Sequence, residues 1–310
     1  MDAAGTDWSQ RYLAVLATQR QLSPHTLDAY RRDLAELAAL CGQADWTRVR
    51  QADIRRASAR LHSQGVSART IARKLSSWRG FFGWLAHQTT LTANPVDSVR
   101  APKRPKSLPK ALSVDDAVHL VASTARPAAM PTPAELCDRA MFELLYSSGL
   151  RVSELAGLDL HYQAGPPPSL GWLELDGAEV SVTGKGNKRR TVPVGSHALA
   201  ALRAWLAVRP AAADGSLALF LNQRARRMSA RVIQLRLKQH ALRVGTAVQV
   251  HPHVLRHSFA SHLLQSSGDL RAVQDLLGHA SITSTQVYTA LDFQHLAAVY
   301  DQAHPRAKMK

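Results

Sequence analysis

The chain has 310 residues, enough for two domains that each bury a core. Its 39 lysines and arginines against 23 acidic residues give a formal net charge of +16, which points to a polyanionic partner, nucleic acid or an acidic membrane surface. No apolar run approaches the roughly 20 residues that span a bilayer, and residues 1–7 are short and acidic, unlike a secretory or transit signal, so nucleic acid and a cytoplasmic location are expected.

Cys41 and Cys137 stand alone without a CxxC spacing, which suggests two ordinary buried thiols and neither a disulfide framework nor a cysteine zinc site. Ser23-Pro24 reads as an N-cap followed by proline at the first helical position, and opens a helix to about residue 40. A second helix is predicted over about 53–63 and a third from about 67. In the third, Ile71, Leu75 and Trp78 recur at helical spacing, which leaves Arg69, Arg73 and Lys74 on another face, available to phosphate. Trp78, Phe81, Phe82 and Trp84 are read as core. Between 102 and 110, three prolines and four basic residues break the helical pattern. Lys103 and Arg104 lie in this strap, which would track phosphates between two domains.

Beyond the strap, residues 113–116 read as a helix start with acidic residues in the first turn. A loop over 125–133 and a helix over about 134–147 follow. Segments 172–175, 179–182 and 190–193 are predicted to form a small antiparallel sheet, with Asp176-Gly177 as a hairpin turn. Helices are then expected over about 198–208, 230–244, 252–266, 270–277, 284–290 and 293–301.

Chemistry concentrates in this second half. Arg151, after Gly149-Leu150, falls at the first turn of a helix, where backbone N–H groups and a guanidinium together favour an anion. Glu154, three residues on, would orient it as a supporting group. Lys185 sits between Gly184 and Gly186 at a hairpin turn, with Lys188 and Arg189 beside it as candidate DNA contacts. His253 and Arg256, at i and i+3, share one helix face and would grip one phosphate, while His257 lies about 100° further round and is read as structural. His279 follows Gly278 in a turn, and Tyr288 comes nine residues later. Histidines 251, 253, 257, 262 and 279 invite a metal reading, but no nearby acid or cysteine completes a site and Arg256 would stand beside the ion. No metal is therefore expected. The set suits phosphoryl transfer: a phenol of reference pKa about 10 is a poor nucleophile until cations stabilise phenolate, and fixed donors stabilise the charge gathering on the phosphate. There is no P-loop, and no nucleotide or other cofactor is expected.

Arg151, Lys185, His253-x-x-Arg256, His279 and Tyr288 together resemble the catalytic set of the tyrosine recombinases, the phage integrase family. The likeness runs from Arg20-Gln21-Leu22-Ser23-Pro24 to the tail beginning Leu291-Asp292-Phe293. It implies a mainly α fold with a small antiparallel sheet in a catalytic domain like that of the type IB topoisomerases, arranged as a two-domain clamp on double-stranded DNA. The implied domains are a helical SAM-like core-binding domain over 1–100, a linker over 101–112, a catalytic domain over 113–291 and a protomer-interaction tail over 292–310. It further implies a 3′-phosphotyrosyl intermediate on Tyr288, with Lys185 protonating the leaving 5′-oxygen and no metal or ATP. The tail is most similar to the branch that resolves bacterial chromosome dimers at cell division. That likeness implies a paralogous recombinase in a heterotetramer and a DNA-translocase motor as further partners. One departure is the spacer over 164–169, a lengthened loop before the sheet. The rival readings are a topoisomerase that reseals the same strand, a DNA-binding protein that no longer cuts, and a metal nuclease.

Overall fold

A computed structural model describes residues 7–42, 45–103, 111–123, 130–184, 188–246, 250–278 and 290–308. The chain divides into two compact units, Met1–Ser107 and Leu108–Lys310.

The first unit is helical: α1 (Trp8–Thr18), α2 (Pro24–Cys41), α3 (Gln51–Ser63) and α4 (Ala68–Ala86). Ser23 and Ser67 cap α2 and α4 through their hydroxyls, and α2 stops at Gly42 in the left-handed region, as its sequence signals require. Ile71, Leu75, Trp78, Phe82 and Leu85 form the buried stripe of α4. Phe81 joins them, with Trp46 and Tyr12 edge-on to its ring at 5.0 and 5.6 Å. Trp84 is partly buried against the same cluster. Two elements go beyond the sequence reading. Helix α1 is capped by Asp7 and buries Tyr12, Leu13 and Leu16, and a short 3-10 turn at Trp46–Arg48 delivers Trp46 to the core.

The basic face expected on α4 holds one buried member, and the Arg73 side chain remains 45% exposed. Arg69 is exposed, but Lys74 is buried, and its ammonium is taken up by Asp33 and Glu36 of α2. Arg73 makes a fork on the same Asp33, with one N–H···O bond of 2.7 Å, and Trp78 Nε1 donates to the Asp33 carbonyl. The cause is Asp33 itself: a carboxylate 1% exposed must be paired, and α4 supplies the cations.

The second unit holds α5 (Val114–Ala122), α6 (Pro133–Ser147), α7 (Val152–Ala156), β1 (Leu158–Asp159), β2 (Gly171–Glu174), β3 (Glu179–Thr183), β4 (Arg189–Pro193), α8 (Ser196–Val208), α9 (Ala230–Arg243), α10 (Pro252–Ser267), α11 (Leu270–Leu277) and α12 (Ala290–Ala303). A capping box between Thr132 and Glu135 starts α6. From Ala140 onward this helix is buried on every side and forms the centre of the core, with α5, α8 and α10 packed around it. Cys137 is buried there, whereas Cys41 in the first unit is only half-buried. The sheet has the order β1-β2-β3-β4. It is mixed, not wholly antiparallel, because β1 pairs with β2 in parallel. Two residues are too few to show alternation, and the loop over 160–170 returns the chain so that β2 runs beside β1 in the same direction.

The end of the chain packs on its own unit. Leu296 and Tyr300 of α12 enter the core, and the Tyr300 hydroxyl lies 2.7 Å from Ser147 Oγ. His304 stacks on Tyr300 at 5.0 Å, Arg306 forks onto the fully buried Glu143, and Ser196 N–H donates to Ala307 O. The tail expected to join protomers is thus seated in cis over its described residues. No described helix is long and apolar enough to cross a membrane.

Candidate active site

The site begins where α6 ends. Gly149 adopts φ +56°, and a Cβ there would meet Phe259 of α10 at 2.4 Å, so only glycine lets the chain turn this closely over α10. Two residues on, Arg151 is the N-cap of α7 rather than its first turn, and Glu154 folds back to accept its backbone N–H at 2.7 Å. The same carboxylate accepts Arg151 Nη1 at 2.7 Å on Oε1, then Arg190 of β4 on both oxygens, at 2.8 and 2.9 Å. Four donors on two oxygens use its full accepting capacity. Burial pushes the Glu154 carboxyl up, but the bonds and charge of Arg190 and the two bonds from Arg151 outweigh it and hold the group at about 2.

The second anchor is the end of α11. A helix leaves its last carbonyls unpaired at the negative end of its dipole. Here three successive carbonyls each take a different arginine: Leu276 O from Arg190 Nε at 2.9 Å, Leu277 O from Arg256 Nη2 at 2.5 Å, and Gly278 O from Arg151 Nη2 at 3.3 Å. Arg256, on α10, also donates to Gly149 O at 2.6 Å. Its burial, then the charges of Arg151 and Arg190, lower it to about 10. Two guanidinium groups therefore meet one carboxylate, the third is held by the Gly149 and Leu277 carbonyls, and the Arg151 side chain keeps 31% of its surface open. This is a net positive cluster in which, among its described arginines, Arg151 is the accessible one, suited to a phosphate.

Arg151, Glu154 and Arg256 are thus brought together. His253 lies on the same helix as Arg256, in its first turn, and is exposed with its ring 6.1 Å from that of His251. His257, expected to be structural, is exposed, because only 254–256, 258 and 259 of this stretch turn inward. Lys185, His279 and Tyr288 lie outside the described residues. Their chain neighbours Gly184, Gly278 and α12 do not, and Gly184 N–H closes the hairpin on Lys188 O at 2.8 Å. Of the candidate DNA contacts, Lys103, Lys188, Arg189 and Arg69 are exposed, and Arg104 lies outside the described residues. Arg189 is braced over Trp172 at 4.9 Å and Tyr162 at 5.8 Å. Among the described residues no group of His, Cys, Asp and Glu could hold a metal.

Arg190 is the residue that sequence reasoning missed. Its signal was parity: it shares the inward side of β4 with Val192, while Arg189 faces out. A basic residue at an inward strand position calls for a buried acid.

Residues 110–295 match the phage integrase family, and residues 10–89 match the phage integrase N-terminal SAM-like domain. The chain belongs to this family: it is a tyrosine recombinase, an enzyme of DNA strand exchange. Tyrosine recombinase XerC 1 of Ralstonia nicotianae is 58% identical, over 96% of this chain and 93% of that protein. The XerC recombinases of Alcanivorax borkumensis and Pseudomonas aeruginosa are 49% and 48% identical, over 96% of this chain and 94% and 95% of theirs. In fold the chain is similar to the Tn1549 transposon integrase in complex with circular intermediate DNA (TM-score 0.69, 18% identity, 93% of this chain and 97% of that one). It is also similar to a lambda integrase dimer bound to a core site (TM-score 0.67, 17% identity, 91% and 98%).

Proposed function

We propose that this recombinase cuts double-stranded DNA at a specific site through Tyr288 and rejoins it to a partner strand, acting in the cytoplasm with a XerD-like paralogue to resolve chromosome dimers at cell division. The observation that carries the chemistry is the gathering of Arg151 and Arg256 on the last turn of α11, directly before His279 in sequence. In this reading Arg151, Arg256, His253 and His279 surround one phosphate. The Tyr288 phenol loses its proton and attacks phosphorus, and Lys185 gives a proton to the departing 5′-oxygen. The product is a 3′-phosphotyrosyl bond and a free 5′-hydroxyl, so the phosphodiester energy is kept, and neither ATP nor a metal is consumed. Attack by a partner strand's 5′-hydroxyl completes the exchange. Oxyanion donors of this kind are each worth about 10²–10³ in rate.

The dimer-resolving role and the paralogous partner are supported by the high-identity relatives named XerC. Exposed Arg69, Lys103, Lys188 and Arg189, together with Arg104, are the proposed backbone contacts. The test is incubation with paired candidate sites and a XerD-like recombinase in the presence of EDTA and without ATP. Recombinant strands support the reading. Relaxation of supercoils without exchange would favour a topoisomerase, and loss of activity in EDTA a metal nuclease.

A further inference from the structure

We propose that Arg190 is a positioning residue for strand cleavage, holding Arg151 and the end of α11 in one fixed relation to the hairpin that carries Lys185. The inference rests on the recombinase reading above and assigns a role within that site. Three bonds define it. The guanidinium fork grips both oxygens of Glu154, which in turn orients Arg151, and Nε donates to Leu276 O, three residues before His279. Arg190 itself lies on β4 opposite Val182, next to the Thr183–Arg189 pair from which residues 184–188 depart. One side chain therefore joins the start of α7, the end of α11 and the β3–β4 pair, the described segments that adjoin Arg151, His279 and Lys185 in the chain.

Its burial separates it from the groups that would touch substrate. The Arg190 side chain is 5% exposed against 31% for Arg151. Space has been made for it: a Cβ on Gly278, which sits at φ +62°, would lie 3.1 Å from Arg190 Cδ. Stability alone is a poor reason for such a residue, since a buried ion pair is often no more stabilising than apolar side chains of the same volume. Geometry is a better one. Lysine carries its donors on one nitrogen, so it has neither the planar fork that the carboxylate uses nor the separate Nε that donates to Leu276 O.

The experiment measures two quantities on a nicked recombination site: duplex affinity, and the single-turnover rate of covalent adduct formation at saturating DNA. For Arg190→Gln the rate is expected to fall about 10²-fold, the scale of an ångström-sized misplacement, while Kd stays within about twofold. Arg190→Lys keeps the charge beside Glu154 and should lose about tenfold in rate, because the fork is lost. Glu154→Gln combined with Arg190→Gln should be no slower than the worse single variant, since both act through one carboxylate. Wild-type rates in both Arg190 variants overturn the proposal. So does a parallel loss of affinity and rate that tracks the unfolded fraction, which is the mark of a purely structural residue. If Arg190→Gln does not fold, Arg190→Lys decides alone. Absence of any adduct from the wild-type protein would instead overturn the recombinase reading, and this inference with it.

Discussion

Asp33 and Lys74 meet between α2 and α4 with almost no access to water, the carboxylate oxygen 3.3 Å from the ammonium and the two side chains 1% and 11% exposed. The pair makes Lys74 part of the first unit's core. Lys74→Ala should therefore lower the stability of that unit by an amount up to the roughly 3 kcal/mol low end for breaking a buried pair, since Arg73 still covers Asp33. The salt dependence of DNA binding should be unchanged. Exposed Arg69→Ala should do the reverse, leaving thermal stability alone and reducing the log Kd–log salt slope by about 0.9 for one phosphate contact. A stable Lys74→Ala protein with a flattened salt slope would contradict this division.

Lys185 is expected to act as the general acid. Lys185→Ala should slow adduct formation by about 10²–10⁴ on a normal phosphodiester. A 5′-bridging phosphorothiolate should restore the rate, because a thiolate leaves without a proton. Failure of that rescue would make Lys185 a binding residue.

The cis seating of the tail depends on Arg306. Its guanidinium forks onto Glu143, whose side chain is 0% exposed, so Arg306→Met strands a buried carboxylate. The expected loss is about 3–5 kcal/mol, measured by urea unfolding of the full chain. The apolar double replacement Glu143→Leu with Arg306→Met should recover most of it. Equal instability of the single and double variants would show that the ion pair is not what holds the tail.

His304 makes the same region acid-sensitive. Burial first, then His262 and Arg306, lower its imidazole to about 3, whereas an unfolded chain titrates near the usual value of about 6.5. Between these values the unfolded state binds the extra proton. The contribution is therefore complete above about pH 6.5 and declines as pH falls, by at most about 1.4 kcal/mol per unit from this group. Burial also lowers His262 and His240, which adds to the same trend. His304→Phe, which can keep the stack on Tyr300, should flatten the fall of Tm between pH 7 and 5. An unchanged slope would place the acid sensitivity elsewhere.

The legible parts of the fold were those written in short stretches of chain. Ser23-Pro24 and Ser113 announced their helices within a turn, and Ile71, Leu75 and Trp78 displayed their stripe by spacing alone. Helix α1 was missed although Asp7 caps it, since its buried positions are only three in eleven residues. Strand β1 was missed because two residues carry no period. In the site, Arg151, Glu154 and Arg256 were legible as motif residues. The fate of Lys74 and the place of Arg190 were not, because each is decided by an acid 41 or 36 residues away in the chain. Charge sign is a local property of sequence, whereas pairing is fixed by the fold.

Tyr288 is expected to become bonded to DNA. The most direct measurement is protease digestion and peptide mapping of the covalent adduct formed on a nicked recombination site, with Tyr288→Phe run alongside. The 3′-phosphate should be found on the peptide containing Tyr288, and Tyr288→Phe should bind the duplex with about wild-type affinity yet give no adduct. An adduct from Tyr288→Phe, or DNA attached to any other residue, would contradict the account.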